Sequence, residues 1–247
     1  MSNKPYKGFE PKWLLTPAPE GSYRSIFRWG DPNFFKYPKE SLYKLMKETF
    51  KMTDEDFKEY TDDIGFDQVD LSSVPSKIDE KHIAALKKIV GDDFVTTGDY
   101  QRLSVAYGAT AYDLLRLRHK IFENIPDVVV YPDTTEHVEK IVKYAVENKI
   151  PLYVYGGGSS VTRGMEAVKG GITLDMRKRF NKLISFNETD QTVTVQAGMS
   201  GPDLENMLQN APTTLGAKRA YTCGHFPQSF EYSSVGGWTV TRGAGQN

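Results

Sequence analysis

The sequence predicts an α+β protein: a mostly helical region over residues 1–122, then a domain over residues 123–247 built on a βαβ unit and a mixed sheet. Three observations carry that expectation. Apolar residues ahead of Pro126 recur at helical spacing. After Pro126 come a β-branched run, an amphipathic stripe and a second apolar run, in that order. Two further strand-like segments, 171–176 and 192–197, lie beyond a cluster of glycines. The second domain reads as α+β or α/β, and it is expected to be truncated at its C-terminal side.

In the first region, residues 1–35 are rich in Pro, Gly and aromatics, including Trp13, Phe27, Trp29, Phe34 and Phe35. This is expected to be an irregular arm lying on a larger body, because its aromatics need cover. Leu42, Leu45, Met46 and Phe50 then mark a helix. Thr53 followed by Asp54, Glu55 and Asp56 reads as an N-cap with an acidic first turn. The acidic stretch from Thr53 to Asp63 is expected to be a solvated helix end rather than a metal site. Asp79 to Val90 predicts a helix with Ile83, Leu86 and Val90 on one face, and Ala111 to Lys120 another.

In the second region, Asp127 to Tyr131 is a β-branched run, expected as a buried strand that Pro132 ends. Asp133, with Glu136 three residues on, has the spacing of a capping box. Val138, Ile141, Val142, Ala145 and Val146 form an apolar helical stripe. Pro151 to Tyr155 follows as a second strand, parallel to the first by the logic of the βαβ unit. Thr192 to Ala197 alternates with period two, as a half-buried strand does. Gly201-Pro202 opens a helix with Leu204, Met207 and Leu208 inward. Lys178 and Arg179 read as an exposed turn.

Bulk properties exclude several classes. The chain has 247 residues and a formal net charge of -1, which argues against a dedicated nucleic-acid binder. Cys223 is the single cysteine, so neither an internal disulfide nor a cysteine-rich zinc site is available. No apolar run follows Met1, and no apolar stretch is long enough for a membrane-spanning helix. A cytoplasmic location is expected.

The glycine run Tyr155-Gly156-Gly157-Gly158-Ser159-Ser160-Val161 sits at the carboxyl end of a predicted parallel strand, where open α/β sheets hold ligands. Bare backbone lets amides converge on an anion, and two serine hydroxyls add donors. A diphosphate suits such a loop, and a tight turn that only needs glycine is the competing reading. There is no Gly-Lys-Ser/Thr ending, so it is not a Walker loop. Val161-Thr162-Arg163-Gly164 lacks the helical pattern a Rossmann fingerprint requires. A second cluster, Ser233-Ser234-Val235-Gly236-Gly237-Trp238 followed by Thr241-Arg242-Gly243-Ala244-Gly245, suggests close backbone approach to a flat ligand, or a strand kink.

Taken in order, Ile125-Pro126-Asp127, the Tyr155 to Val161 loop, Gln196-Ala197-Gly198, Asp203-Leu204-Glu205 and the run from Gly224-His225 to Gly237-Trp238 are distinctive. They resemble the FAD-binding, PCMH-type domain of the vanillyl-alcohol-oxidase superfamily. Within it the chain looks most like alkyldihydroxyacetonephosphate synthases and their bacterial relatives. Phe27-Arg28-Trp29-Gly30 resembles the N-terminal region of that subgroup.

The resemblance implies FAD on the first glycine loop, through Tyr155, Gly156, Gly157, Gly158, Ser159, Ser160 and Val161. It implies that Gln228, Ser229, Ser233, Ser234, Gly236 and Gly237 lie on the flavin or ribityl side, with Thr241, Arg242, Gly243 and Ala244 as a further contact. Gln228 stands where the family has an aspartate. The histidine used for covalent flavin attachment is missing from the loop, so FAD is expected to be noncovalent. Family enzymes continue into another FAD loop and a substrate-binding cap. The chain is therefore expected to be a fragment or one part of a split protein, needing a C-terminal cap domain or partner chain. An apolar face left uncovered would predict self-association, as a homodimer.

His225 is the candidate catalytic residue, with a structural loop histidine as the competing reading. Arg163 and Arg242 are candidate phosphate partners, Cys223 reads as a half-buried thiol, and His82, His119 and His137 as helix residues without metal spacing. The reaction implied is exchange of acyl for alkyl on a glycerone-phosphate ester. The alternatives are an FAD-linked 2-hydroxy-acid dehydrogenase or oxidase, and a noncatalytic flavin-binding fragment or split subunit. In each case the partner is a small molecule and not a nucleic acid.

Overall fold

A computed structural model describes residues 18–26, 40–56, 65–243 and 245. The aromatic arm with Trp13, Phe27, Trp29, Phe34 and Phe35, the acidic residues Glu59, Asp62 and Asp63, and Ala244 lie outside the described residues. Two compact units divide the chain: Met1–Val69 with Leu115–Lys120, and Asp70–Leu114 with Ile121–Asn247.

The first unit holds α1 (Tyr23–Ile26) and α2 (Glu40–Phe50). Tyr43 is its buried helical side chain on α2, while Leu42, Leu45 and Phe50 are exposed. At Thr53 a reciprocal pair closes a turn: Asp56 N donates to Thr53 Oγ1 at 3.3 Å, and Thr53 N donates to Asp56 Oδ2 at 2.6 Å; the helix expected after it lies outside the described residues. These bonds hold the Asp56 carboxyl below its ordinary value. Tyr23 N bonds Asp67 O, and Lys120 reaches the Asp67 carboxylate at 2.8 Å.

The second unit carries the sheet. Its elements are α3 (Glu80–Val90), β1 (Val95–Thr96), α4 (Asp99–Ser104), the start of α5 (Ala111–Arg118), β2 (Val128–Val130), α6 (Thr135–Glu147), β3 (Leu152–Tyr155) and β4 (Ile172–Asp175). Beyond them come β5 (Leu183–Asn187), β6 (Thr192–Val195), α7 (Gly201–Gln209), α8 (Ala211–Thr214) and α9 (Val235–Thr241). Strand order is β1-β2-β4-β3, with β1 antiparallel to β2 and the rest parallel. β2 and β3 are parallel, as the βαβ reading requires, but β4 is inserted between them and bonds both. The unit reaches further toward the N-terminus than residue 123, because Val95 and Thr96 pair with Val130 and Val129.

Alternation within β2 separates two cores. Val128 and Val130, beside Ile172 and Leu174 of the paired β4, pack with Leu86 and Val90 of α3 and Ile141 and Ala145 of α6. Val129 faces the opposite way, onto Val105, Tyr131, Tyr155 and Met165. Each fully buried aliphatic side chain here contributes about 1.5–3 kcal/mol. The α6 stripe is narrower than its spacing predicts: Ile141 and Ala145 are buried, but Val142 and Val146 are 41% and 72% exposed. Only the part of the stripe that faces the sheet finds a partner.

The α6 cap is Thr134, not Asp133. Thr134 Oγ1 accepts the His137 amide at 3.1 Å. Asp133 instead binds Arg179 at 3.0 Å and Lys182. Thr134→Ala is expected to cost about 1 kcal/mol, read as a lower urea midpoint at unchanged slope. Lys178 and Arg179 lie in a turn, as expected, and Lys178 is exposed, but Arg179 is half-buried. Its guanidinium lies 3.3 Å from the Phe94 ring centroid and donates to Tyr131 O at 3.0 Å. A planar cation with several donors ties β1 and β2 to the segment after β4.

β5 and β6 form a separate antiparallel pair. Phe186, Val193 and Val195 cover Met199, Leu204 and Leu208. Ser200 caps α7, its Oγ accepting the Asp203 amide at 3.1 Å, and Pro202 falls in the first turn as expected.

Candidate functional site

The glycine run leaves β3 at its carboxyl end and enters no helix. Gly158 has φ +76°, which only glycine takes without strain. Gly156 and Gly157 are required for space. A Cβ on Gly156 would lie 2.5 Å from Ser234 Oγ, and one on Gly157 would run into Tyr232 O and come within 2.5 Å of Ser233 Cα. The first glycine loop and the Tyr232–Ser234 segment therefore touch backbone to backbone. The sequence places them far apart; the fold brings these two candidate segments together.

What this juncture offers a ligand is hydrogen-bond donors. Among the described residues, none of the consecutive backbone amides of Gly156 through Val161 donates to a protein acceptor. Backbone N–H groups normally find partners, so a run of free ones suits an anion. Ser234 Oγ is a second such group: it is buried, without a partner, and beside the loop. Ser160 Oγ is differently engaged, accepting the Thr162 amide at 3.3 Å. Ser159 is half-buried and Val161 exposed. Amides and a buried hydroxyl at one bare-backbone loop fit the diphosphate of a dinucleotide.

Tyr155 anchors the loop at its start. Its hydroxyl donates to Tyr107 O at 3.3 Å, and the Arg177 guanidinium lies 4.6 Å from its ring centroid. Arg177 grips the buried Asp175 with two bonds, at 2.9 and 2.6 Å. Burial alone would lower the Arg177 pKa; the Asp175 carboxylate outweighs it and the net direction is up. Sequence reading missed Arg177 and Asp175. Their position at the carboxyl end of a parallel strand was the available signal.

The second cluster is helical rather than a strand kink. Val235–Thr241 is α9, preceded by the one-turn helix Phe230–Tyr232. Val235 N and Gly236 N bond Met199 O and Ala197 O at 3.0 and 2.8 Å. A Cβ on Gly236 would meet the Ala197 Cβ at 2.7 Å, so protein packing accounts for that glycine. Gly237 is more open, its nearest neighbour being Ser234 Oγ at 3.5 Å. Ser233 Oγ accepts Trp238 Nε1 at 2.6 Å. Ser229 is left-handed at φ +63° and half-buried, and Gln228 is exposed. Thr241 Oγ1 donates to Gly237 O at 2.7 Å, Arg242 ends α9 in the left-handed conformation, and Gly243 N bonds Trp238 O at 2.9 Å.

His225 is half-buried, edge-on to Trp238 with ring centroids 5.6 Å apart. Trp238 in turn stacks on Phe230 at 5.7 Å. Cys223 Sγ donates to His225 O at 3.2 Å, and burial pushes the Cys223 thiol up. The buried Glu205 holds this segment from beneath, accepting Cys223 N at 3.0 Å and Gln209 Nε2 at 2.7 Å. Burial opposes charge on Glu205, but those bonds outweigh it and its pKa is lowered. Arg163 is bound to Glu166 through two bonds, at 2.7 and 2.9 Å, and is committed to that carboxylate rather than to a phosphate. His82 bonds the Tyr144 hydroxyl at 2.7 Å. Among the described residues no cluster of acidic, histidine or cysteine side chains could hold a metal ion. No described helix is long and apolar enough to cross a membrane.

Residues 126–247 match the FAD binding domain family. The chain is 29% identical over 219 residues to an alkyldihydroxyacetonephosphate synthase of Dictyostelium discoideum, covering 87% of this chain and 34% of that protein. It is 31% identical over 146 residues to a mitochondrial D-lactate dehydrogenase (cytochrome) of Saccharomyces cerevisiae, covering 58% of this chain and 24% of that one. A solved alkyldihydroxyacetonephosphate synthase superposes with a TM-score of 0.63 at 31% identity, over 69% of this chain and 33% of that one. The chain thus spans about a third, or less, of the length of these relatives. Through residues 126–247 the chain belongs to the FAD binding domain family.

Proposed function

We propose that this chain is the FAD-binding portion of an enzyme of the alkylglycerone-phosphate synthase kind, which exchanges the acyl group of an acylated dihydroxyacetone phosphate for an alkyl group. The observation that carries this reading is the breadth of the likeness. A match over 219 residues is longer than 126–247 can hold, so it extends outside the cofactor domain. The likeness to the D-lactate dehydrogenase is shorter, and 2-hydroxy-acid oxidation is the second reading.

In this proposal the amides of Gly156 to Val161 and the Ser234 hydroxyl hold the FAD diphosphate. The α9 segment and the Ser233–Trp238 pair flank the flavin, and His225 is the candidate residue facing chemistry. FAD is noncovalent, since the glycine loop has no histidine. When bound, FAD supplies the electron-accepting ring that carries the reaction, while the chain supplies binding and orientation. A cytoplasmic location, and a cap or partner chain that completes the substrate site, belong to the same proposal.

Deleting the gene in its source organism separates the two readings. Loss of ether-linked glycerolipids by lipid mass spectrometry, restored by complementation, is the expected result. Unchanged ether lipids with lost D-lactate-dependent dye reduction would replace this reading with the second.

A further inference from the structure

Both ends of the glycine loop rest on one short segment that lies outside the matched family domain. Tyr155, where the loop begins, donates its hydroxyl to Tyr107 O at 3.3 Å. Ser160, one residue before its end at Val161, accepts the Ala109 amide at 3.0 Å on its carbonyl oxygen. Gly108 lies between these two contacts. A Cβ there would collide with Ser160 O and come within 3.2 Å of Ser160 C and 3.3 Å of Asp113 Oδ2. Gly108 does not have positive φ, so its backbone conformation would accept a side chain. Only the approach of the Ser160 carbonyl demands that it be bare.

The segment is itself held. Asp113 is buried, its carboxylate accepts the Thr110 amide at 2.9 Å, and its own amide donates to Thr110 Oγ1 at 2.9 Å. This reciprocal pair at the start of α5 fixes the backbone just after Ala109.

We propose that Tyr107–Ala109 is a positioning brace for the anion loop, and that the cofactor site therefore extends beyond the family domain to this segment. A run of amides attracts an anion only if the intervening carbonyls are turned aside. The Ala109 amide takes up the Ser160 carbonyl, and the Tyr107 carbonyl takes up the Tyr155 hydroxyl. Between those pins, Gly156 to Ser159 are left with amides that no protein group uses. The brace touches neither phosphate; it acts through the loop. The inference rests on the FAD reading proposed above.

The test compares wild type with Gly108→Ala, Tyr155→Phe and Gly164→Ala. In Gly164→Ala the new Cβ would meet only Thr162 Oγ1, at 3.9 Å, so it serves as the neutral control. FAD affinity is read by flavin fluorescence, and the phosphate environment by phosphorus-31 NMR of bound FAD. Gly108→Ala is expected to weaken FAD about tenfold and Tyr155→Phe about threefold, the scale of a displaced and a deleted hydrogen bond. Gly108→Ala should also shift the phosphorus resonances while leaving the visible flavin band unchanged, which general destabilisation would not do. Wild-type affinity and wild-type resonances in Gly108→Ala would overturn the brace. If Gly108→Ala fails to fold, Tyr155→Phe decides, and wild-type affinity there would overturn it as well. A wild-type protein that takes up no FAD would overturn the cofactor reading, and the brace with it.

Discussion

Gly157→Ala is expected to reduce FAD affinity by about two orders of magnitude, or about 2.7 kcal/mol. The reason is steric and local. The new methyl would run into Tyr232 O and lie 2.5 Å from Ser233 Cα, both backbone positions that cannot rotate away. The loop and the Tyr232–Ser234 segment must part, and the donors they jointly present part with them. Gly157 needs no positive φ, so the loss is not one of backbone strain. A fluorescence titration with FAD, run beside Gly164→Ala, measures it. Near-wild-type affinity for Gly157→Ala would mean that the close contact between the two segments is irrelevant to the cofactor.

Ser234→Ala is expected to move stability and affinity in opposite directions. The Ser234 hydroxyl is buried without a partner in the ligand-free chain. An unsatisfied buried hydroxyl costs about 1–3 kcal/mol, so removing it should leave the apoprotein equally stable or up to about 1 kcal/mol more stable. If the hydroxyl donates to a phosphate when FAD binds, its loss should weaken FAD about thirtyfold, or ~2 kcal/mol. Melting curves with and without FAD separate the two effects. A less stable apoprotein with unchanged affinity would assign Ser234 to packing alone.

Much of the fold was legible because periodicity reports directly on it. The β-branched run Val128–Val130, the α6 stripe and the Thr192–Val195 alternation each predicted their element. Lateral order was not legible. Nothing in the sequence of β4 says that it inserts between β2 and β3, since hydrogen bonding between strands leaves no periodic trace. β1 has only Val95 and Thr96, too short for any pattern, yet it draws residues 70–114 into the unit that holds the sheet. The Asp133 cap misled because a carboxylate serves an ion pair as well as a helix end. Arg179 and Lys182, remote in sequence, claimed it, and the adjacent Thr134 became the cap.

The candidate site divides the same way. Three consecutive glycines announce a loop with unusual backbone needs, and the loop is where the sequence put it. The reasons for individual glycines were hidden. Gly156 and Gly157 answer to Ser233 and Ser234, Gly236 to Ala197, and Gly108 to Ser160. Each is a contact between bare backbone and a residue distant in the chain, which no local pattern encodes. Arg163 read as a phosphate partner from its charge and place; the structure commits it to Glu166.

The central claim is that this chain holds one noncovalent FAD. The most direct measurement is the visible spectrum of the purified protein after incubation with excess FAD and desalting, with chromatography of the flavin released by heat. One FAD per chain, all of it in the heat-released supernatant, is the predicted result. A colourless protein, or flavin that stays with the heat-precipitated chain, would contradict it.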